Sequence, residues 1–270
     1  MPSNFRISNY MTNTVPLKVR GSASGFMWGR TVFTDYDGAC LRKILVSSKG
    51  VRTEIDPIHG VRGKFNEDQY EAVLLKDGIE YKRELFTTDT IPGSIVPFQG
   101  SIDYLVSGPD CDEVHELKST ESKNKLRMIK AGQYSTENLA QCISYMISEN
   151  TTVGKLIYTY FEPDDAAVYI EKYSRTFEIH IDNSGRIVVD SVPSKWTVHD
   201  QLLHRATSAK VVSEEIVWDR PHNWDLLWGS PCAYCPFKAA CTEYDKGSIE
   251  GASAFIEYAK KCLNPSKESE

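Results

Sequence analysis

What most constrains this chain is a run of strand-like segments in its middle, broken by one amphipathic helix. Ile79 to Phe86 alternates apolar and polar residues, as a half-buried strand does. Ser101 to Val106 and Glu113 to Lys118 follow, separated by the turn residues Gly108-Pro109-Asp110. Within Asn138 to Ile147, Leu139, Ile143, Met146 and Ile147 share one stripe, the spacing of a helix. Lys155 to Phe161, Val168 to Tyr173 and Thr176 to Ile181 resume the strands, and Asp182-Asn183-Ser184-Gly185 turns the chain into Arg186 to Val189. Helical spacing flanks this run at Ala39 to Leu45, at Asn66 to Leu75 with Asn66 as its cap, at Val198 to Val212 and near Ala252 to Cys262. Helices, strands, one inserted helix, further strands and further helices predict an α/β fold, with a mixed central sheet flanked by helices. We expect an irregular N-terminal extension over residues 1–30, a single domain over 31–265 and a charged tail over 266–270.

Composition narrows the class. With 41% hydrophobic and 11% aromatic residues, the chain has the apolar material for a sizeable core. No apolar run approaches the ~18 residues of a membrane span, and Met1 to Arg20 lacks a basic patch followed by an apolar stretch. We therefore expect a cytoplasmic protein with no membrane partner. The net charge of −6 argues against bulk electrostatic binding of nucleic acid and leaves room for a local basic channel. Lys118, Lys123, Lys125, Arg127 and Lys130 supply the best local basic stretch, in what reads as a loop from Ser119 to Lys130. It is either a track for a phosphate backbone or a solvated loop. Trp196, Trp218, Trp224 and Trp228 are either base-stacking platforms or packing.

Two groups of residues carry chemistry. If the strands on either side of the Gly108 turn pair, Asp103 approaches Glu116, and alternation puts Glu116 and Lys118 on one face. Two carboxylates and an ammonium on one surface suit phosphodiester hydrolysis. The carboxylates hold Mg²⁺ or Mn²⁺, and the lysine steers a water or offsets developing charge. Glu-x-Lys by itself also describes any solvated strand face. The second group is cysteine. Of seven cysteines, Cys232, Cys235 and Cys241 cluster as C-x2-C-x5-C, three ligands where a metal centre needs four. Odd number and uneven spacing fit metal ligation better than a disulfide framework. Cys111, Cys142 and Cys262 read as small apolar residues.

Taken in order, these residues resemble the PD-(D/E)-x-K nuclease superfamily, and specifically its RecB-like branch. Ile102-Asp103 followed by Glu116-Leu117-Lys118 stands for the core motif, with Ile102 in place of the nominal proline. Gln141-Cys142-Ile143-Ser144-Tyr145 matches the branch's Gln-x-x-x-Tyr helix, and Gly63-Lys64-Phe65-Asn66-Glu67 its upstream helix, with glutamate where histidine is common. Cys40-Leu41-Arg42-Lys43 resembles the first-cysteine setting of iron–sulfur members, such as the CRISPR-associated exonuclease of the Cas-four type and AddB-type domains.

The resemblance implies a restriction-endonuclease-like core. In it Asp103, Glu116 and Glu67 bind the catalytic Mg²⁺ or Mn²⁺, Lys118 assists the nucleophilic water, and Gln141 and Tyr145 position substrate. It also implies a [4Fe–4S] cluster on Cys40, Cys232, Cys235 and Cys241 that staples the N- and C-terminal segments, zinc being the alternative metal. The implied activity is a DNase, acting as an exonuclease on single-stranded DNA, with recombination or CRISPR adaptation proteins as partners. The alternative from another class is a non-catalytic DNA-binding subunit of such a complex.

Overall fold

Backbone hydrogen bonding between residues 81 and 197 gathers the predicted strands into one sheet. The structure is a computed structural model that describes residues 4–6, 41–51, 57–89, 98–163, 168–217 and 235–263. These fall into two compact units, one holding residues 4–6, 57–87, 100–163 and 168–198, the other 41–51, 88–89, 98–99, 199–217 and 235–263. No helix among the described residues is long and apolar enough to cross a membrane.

In the first unit, strand β1 (Asn4–Arg6), helix α2 (Pro57–Lys76), strands β2 (Tyr81–Asp89), β3 (Phe98–Val106) and β4 (Glu113–Thr120), helices α3 (Lys123–Lys130) and α4 (Thr136–Ser148), and strands β5 (Val153–Pro163), β6 (Val168–Ile181), β7 (Arg186–Val189) and β8 (Val192–Thr197) follow in order. The sheet runs β2-β3-β4-β5-β6-β7-β8, with β1 also on β6. β4 and β5 are parallel, whereas β3/β4, β5/β6, β6/β7 and β7/β8 are antiparallel. The parallel β4/β5 pair needs a crossover, and α3 with α4 supplies it. The mixed sheet flanked by helices is the expected architecture.

Helix α4 is amphipathic, and Leu139, Ala140, Cys142, Ile143, Tyr145 and Met146 are buried. Its close approach to the sheet depends on Gly154. A Cβ there would lie 2.7 Å from Met146 Sδ, 3.1 Å from the Val114 carbonyl and 3.2 Å from Cys142 Sγ. Residues of the opposite parity on β3 and β4 pack with α2: Tyr104, Val106 and Leu117 form an apolar cluster with Leu74 and Ile157, and Tyr70 and Tyr81 close it.

The second unit contains helices α1 (Leu41–Ser48), α5 (Val198–Ser213), α6 (Lys238–Asp245) and α7 (Gly251–Leu263). Its core joins Leu41, Leu45, Val46, Val211, Phe237, Ala240, Cys241, Phe255 and Ile256. Arg42 is buried there, 2.6 Å from Asp245 Oδ1, with its guanidinium 5.1 Å from the Tyr244 ring centre.

Several elements differ from expectation. The helix expected from Asn66 begins at Pro57, so Asn66 lies in its interior and caps nothing. Proline suits a first turn because its missing N–H has no partner there anyway. The basic stretch is helix α3 rather than a loop: the Ser122 side chain accepts from Lys125 N at 3.4 Å as N-cap, and Ile129 is its buried anchor. The two segments at 168–173 and 176–181 are one strand, β6, since Ser174 and Arg175 keep register with Thr159 and Tyr158. Pro193 hid β8, which lies at the end of the sheet order, where proline is tolerated.

Candidate active site

The antiparallel register of β3 and β4 pairs Tyr104 with His115, which brings Asp103 beside Glu116. Asp103 Oδ2 accepts a hydrogen bond from the Leu117 main-chain N–H at 2.7 Å. Lys118 Nζ bonds Glu116 Oε1, as alternation along β4 requires. The predicted trio therefore assembles across one strand pair. Glu116 is fully buried, and its other oxygen, Oε2, has no hydrogen-bond partner.

Burial sets the electrostatics. Asp103 is pushed up to about 7, first by desolvation and then by the Glu116 charge. Glu116 is raised as well, by burial first, with Lys118 opposing. Desolvation would lower the Lys118 ammonium, but Glu116 and Asp103 hold it above its usual value. Glu67, on α2, is pushed up to about 7 by burial and then by the charge of Asp103. Glu67 in turn raises Glu116, so the three carboxylates share one field. Glu71, one turn further along α2, instead accepts from Tyr81 Oη at 2.8 Å and bonds Arg83.

Gln141 and Tyr145 sit one turn apart on α4, and Gln141 Nε2 lies 3.5 Å from Tyr145 Oη. Tyr145 is buried, and its hydroxyl is raised first by desolvation and then by Glu116. A buried residue of β3, Gly100, makes room for the ring. A Cβ at this position would lie 2.4 Å from Tyr145 Cε1.

These residues fit a divalent cation in one specific respect. A buried carboxylate oxygen without a partner costs free energy that a bound cation would remove, and Glu116 Oε2 is such an atom. Among the described residues no three His, Cys, Asp or Glu side chains close a ligand set by themselves. Magnesium commonly takes one or two carboxylates and completes its shell with water and substrate phosphate.

Other predicted residues are placed as follows. Cys40 and Cys232 lie outside the described residues, as do Trp218, Trp224 and Trp228. Cys235 and Cys241 share the apolar cluster of the second unit, and Arg42 hydrogen-bonds Cys241 as well as Asp245. Cys142 is buried under α4, its Sγ 3.9 Å from the carbonyls of Val114 and Lys155. Trp196 is buried and packs rather than offering a stacking surface. On α3, Lys123 lies 3.6 Å from Glu162 Oε1, and Lys130 Nζ is 5.3 Å from the Tyr173 ring centre.

Sequence reading missed the partners that come from other elements. Arg83 on β2 bonds Glu67, and the Tyr104 hydroxyl donates to the Glu67 main-chain carbonyl at 2.7 Å. On the parity opposite Glu116, Tyr70 Oη lies 2.7 Å from His115 Nδ1, and His115 Nε2 lies 2.9 Å from Glu113 Oε2. Burial, the larger influence, keeps His115 below its ordinary value even though Glu113 opposes it. This histidine is a satisfied link between α2 and β4.

No protein-family model matches the chain, and no curated protein matches it. Among solved structures the chain is similar to SSO0001, with 18% identity over 67% of this chain and 69% of that one and a TM-score of 0.40. It is also similar to LHK-Exo, an alkaline exonuclease from Laribacter hongkongensis, with 14% identity over 65% of this chain and 78% of that one and a TM-score of 0.41. The same exonuclease in complex with dAMP gives 17% identity, 65% and 76% coverage and a TM-score of 0.39.

Proposed function

We propose that this chain is a metal-dependent DNA nuclease of the PD-(D/E)-x-K type, with a restriction-endonuclease-like core. The observation that carries the reading is the Asp103–Glu116 pair on adjacent strands, half-buried Asp103 beside fully buried Glu116, with Lys118 on Glu116 Oε1 and Glu116 Oε2 left without a partner. A solvated strand face keeps its carboxylates in water, whereas here Glu116 is fully buried beside a second carboxylate and desolvation penalises the charge.

Asp103 and Glu116 would hold Mg²⁺ or Mn²⁺, with Glu67 as a further ligand. When bound, the ion supplies Lewis acidity toward the phosphoryl oxygens and a more acidic water. The chain's own groups do the rest. Lys118, held charged by the two carboxylates, places an ammonium where negative charge develops on the phosphoryl group. Tyr145 and Gln141 offer a hydroxyl and an amide from the adjacent helix to orient the substrate backbone. The leading mode is exonucleolytic, on single-stranded DNA. Cys40, Cys232, Cys235 and Cys241 would carry a [4Fe–4S] cluster, and such a cluster would contribute folding energy.

The test is to purify the protein anaerobically and incubate it with Mn²⁺ and end-labelled single-stranded DNA, linear and circular, beside Lys118→Ala. Degradation of linear DNA alone, by the wild type alone, is the expected result. Cutting of circular DNA keeps the active site and makes the enzyme an endonuclease. Folded protein that cleaves neither overturns the assignment in favour of a DNA-binding subunit.

A further inference from the structure

Register across the sheet sets Lys118 of β4 beside Tyr158 of β5, and Tyr158 beside Arg175 of β6. Cross-strand partners share a face, so these three side chains form one row on the face that carries Glu116. Tyr158 is buried, and its ring meets Phe177 edge-on with 5.9 Å between centres. Its hydroxyl oxygen accepts two hydrogen bonds, from the Ser135 main-chain N–H at 3.1 Å and from Asn138 Nδ2 at 2.8 Å. Both donors belong to the start of α4. Ser135 is the N-cap, and its own Oγ accepts from Asn138 N at 3.5 Å.

Neighbours of Tyr158 hold the same connection. Arg175 Nη1 donates to the Ile129 carbonyl near the end of α3 at 3.4 Å, and the Tyr134 ring meets Phe177 edge-on at 5.3 Å. What α4 carries from this anchored start follows from helical geometry. Asn138, Gln141 and Tyr145 stand three and four residues apart, so they share one stripe. Gln141 Nε2 is 3.5 Å from Tyr145 Oη, and the Tyr145 ring fills the space over Gly100 of β3. The stripe therefore starts at Tyr158, beside Lys118, and ends over the strand that carries Asp103. Only about 4.5 Å of helix axis separates Asn138 from Gln141, so a shift of the first turn reaches Gln141 almost undiminished.

We propose that Tyr158 is a positioning residue for the hydrolysis, holding the first turn of α4 beside Lys118 and thereby setting where Gln141 and Tyr145 meet the substrate. This rests on the nuclease reading of Asp103, Glu116 and Lys118. Tyr158 acts through α4 rather than by touching the reacting atoms. Without the phenol oxygen two donors lose their acceptor, and the start of the helix must shift or admit water to satisfy them. A misplacement of about 1 Å among groups that orient a substrate can cost about 10²-fold in rate.

The experiment compares the wild type, Tyr158→Phe, Gln141→Ala and the Tyr158→Phe/Gln141→Ala double variant. Single-turnover cleavage of linear single-stranded DNA is measured across DNA concentrations at saturating Mn²⁺, and hydrogen–deuterium exchange is followed over residues 131–141. Tyr158→Phe keeps the ring against Phe177 and removes only the oxygen. Its saturated rate should fall roughly 10- to 100-fold. The DNA concentration at half-maximal rate should stay close to that of the wild type, as a loss of positioning requires. Exchange over 131–141 should quicken, and the double variant should lose less than the product of the single losses, because both act through one stripe. A wild-type rate in Tyr158→Phe, unchanged exchange, or losses that multiply overturn the proposal and leave the nuclease reading standing. A higher half-maximal concentration at an unchanged saturated rate overturns it too. Should Tyr158→Phe fail to fold by circular dichroism, Asn138→Ala, which removes one of the two bonds, runs the same cycle and decides. A folded wild type that does not cleave overturns the nuclease reading and this inference together.

Discussion

Replacing Gly100 by alanine places a methyl group 2.4 Å from Tyr145 Cε1 and 2.8 Å from its hydroxyl oxygen. Carbon atoms in a packed interior sit about 3.5–4.0 Å apart, so the ring must retreat by about 1 Å or the strand must shift. Position 100 lies in β3 without a positive φ, so alanine meets no backbone penalty there. The effect is therefore steric. Overpacking of this kind costs about 1–3 kcal/mol, which for a unit of this size is a fall in Tm of about 2–4 °C per kcal/mol. The catalytic effect should be larger than the stability effect. Tyr145 is buried within reach of the charges of Glu116, Asp103 and Lys118, and a 1 Å misplacement near reacting groups can cost about 10²-fold in rate. Single-turnover cleavage of end-labelled DNA at saturating Mn²⁺, with thermal melts of the same preparations, measures both. An alanine variant that cleaves and melts like the wild type would refute the argument that Gly100 is there to seat Tyr145.

Other outcomes follow from the same geometry. In the metal-free protein Asp103 and Glu67 are each pushed up to about 7, so the native state binds more protons than the unfolded chain between their ordinary range and pH 7. Stability should then fall as pH rises through that window. Melts in chelator should give a higher Tm at pH 5.5 than at pH 8, and added Mn²⁺ should raise the pH 8 value most. Gly154→Ala should cost about 1–3 kcal/mol, because the Val114 carbonyl at 3.1 Å belongs to the backbone and yields little; denaturant melts would show it. Cys241→Ser should abolish the brown absorbance and the iron content of anaerobically purified protein, whereas zinc in the wild type would replace the cluster assignment.

The central strands and α4 were legible because their periodicities are clean, and the Asp103–Glu116 adjacency followed from a short turn joining two strands. Elsewhere the signals conflicted. The helix expected to start at Asn66 begins at Pro57 and runs through Gly60 and Gly63, where a Cβ would meet nothing within 4 Å. Tertiary contacts made by Phe65, Tyr70 and Leu74 outweigh their propensity cost. Helix α3 was hidden by its own charges, because its four basic residues obscure the short stripe through Leu126 and Ile129. Arg83 could not have been found by spacing. Its partners lie twelve to sixteen residues away on another element, and nothing in Lys82-Arg83-Glu84 sets that arginine apart from a solvated strand residue. The same holds for Gly100, whose function depends on a ring forty-five positions further along the chain.

The most direct test of the central claim is cleavage of end-labelled linear single-stranded DNA by Asp103→Asn beside the wild type, across a Mn²⁺ titration. Asparagine keeps the shape of Asp103 and an oxygen that accepts the Leu117 N–H bond, but removes the charge. The account predicts Mn²⁺-dependent cleavage by the wild type and none above the metal-free background for the variant. A folded Asp103→Asn protein that cleaves at the wild-type rate, at the same Mn²⁺ concentration, would contradict it.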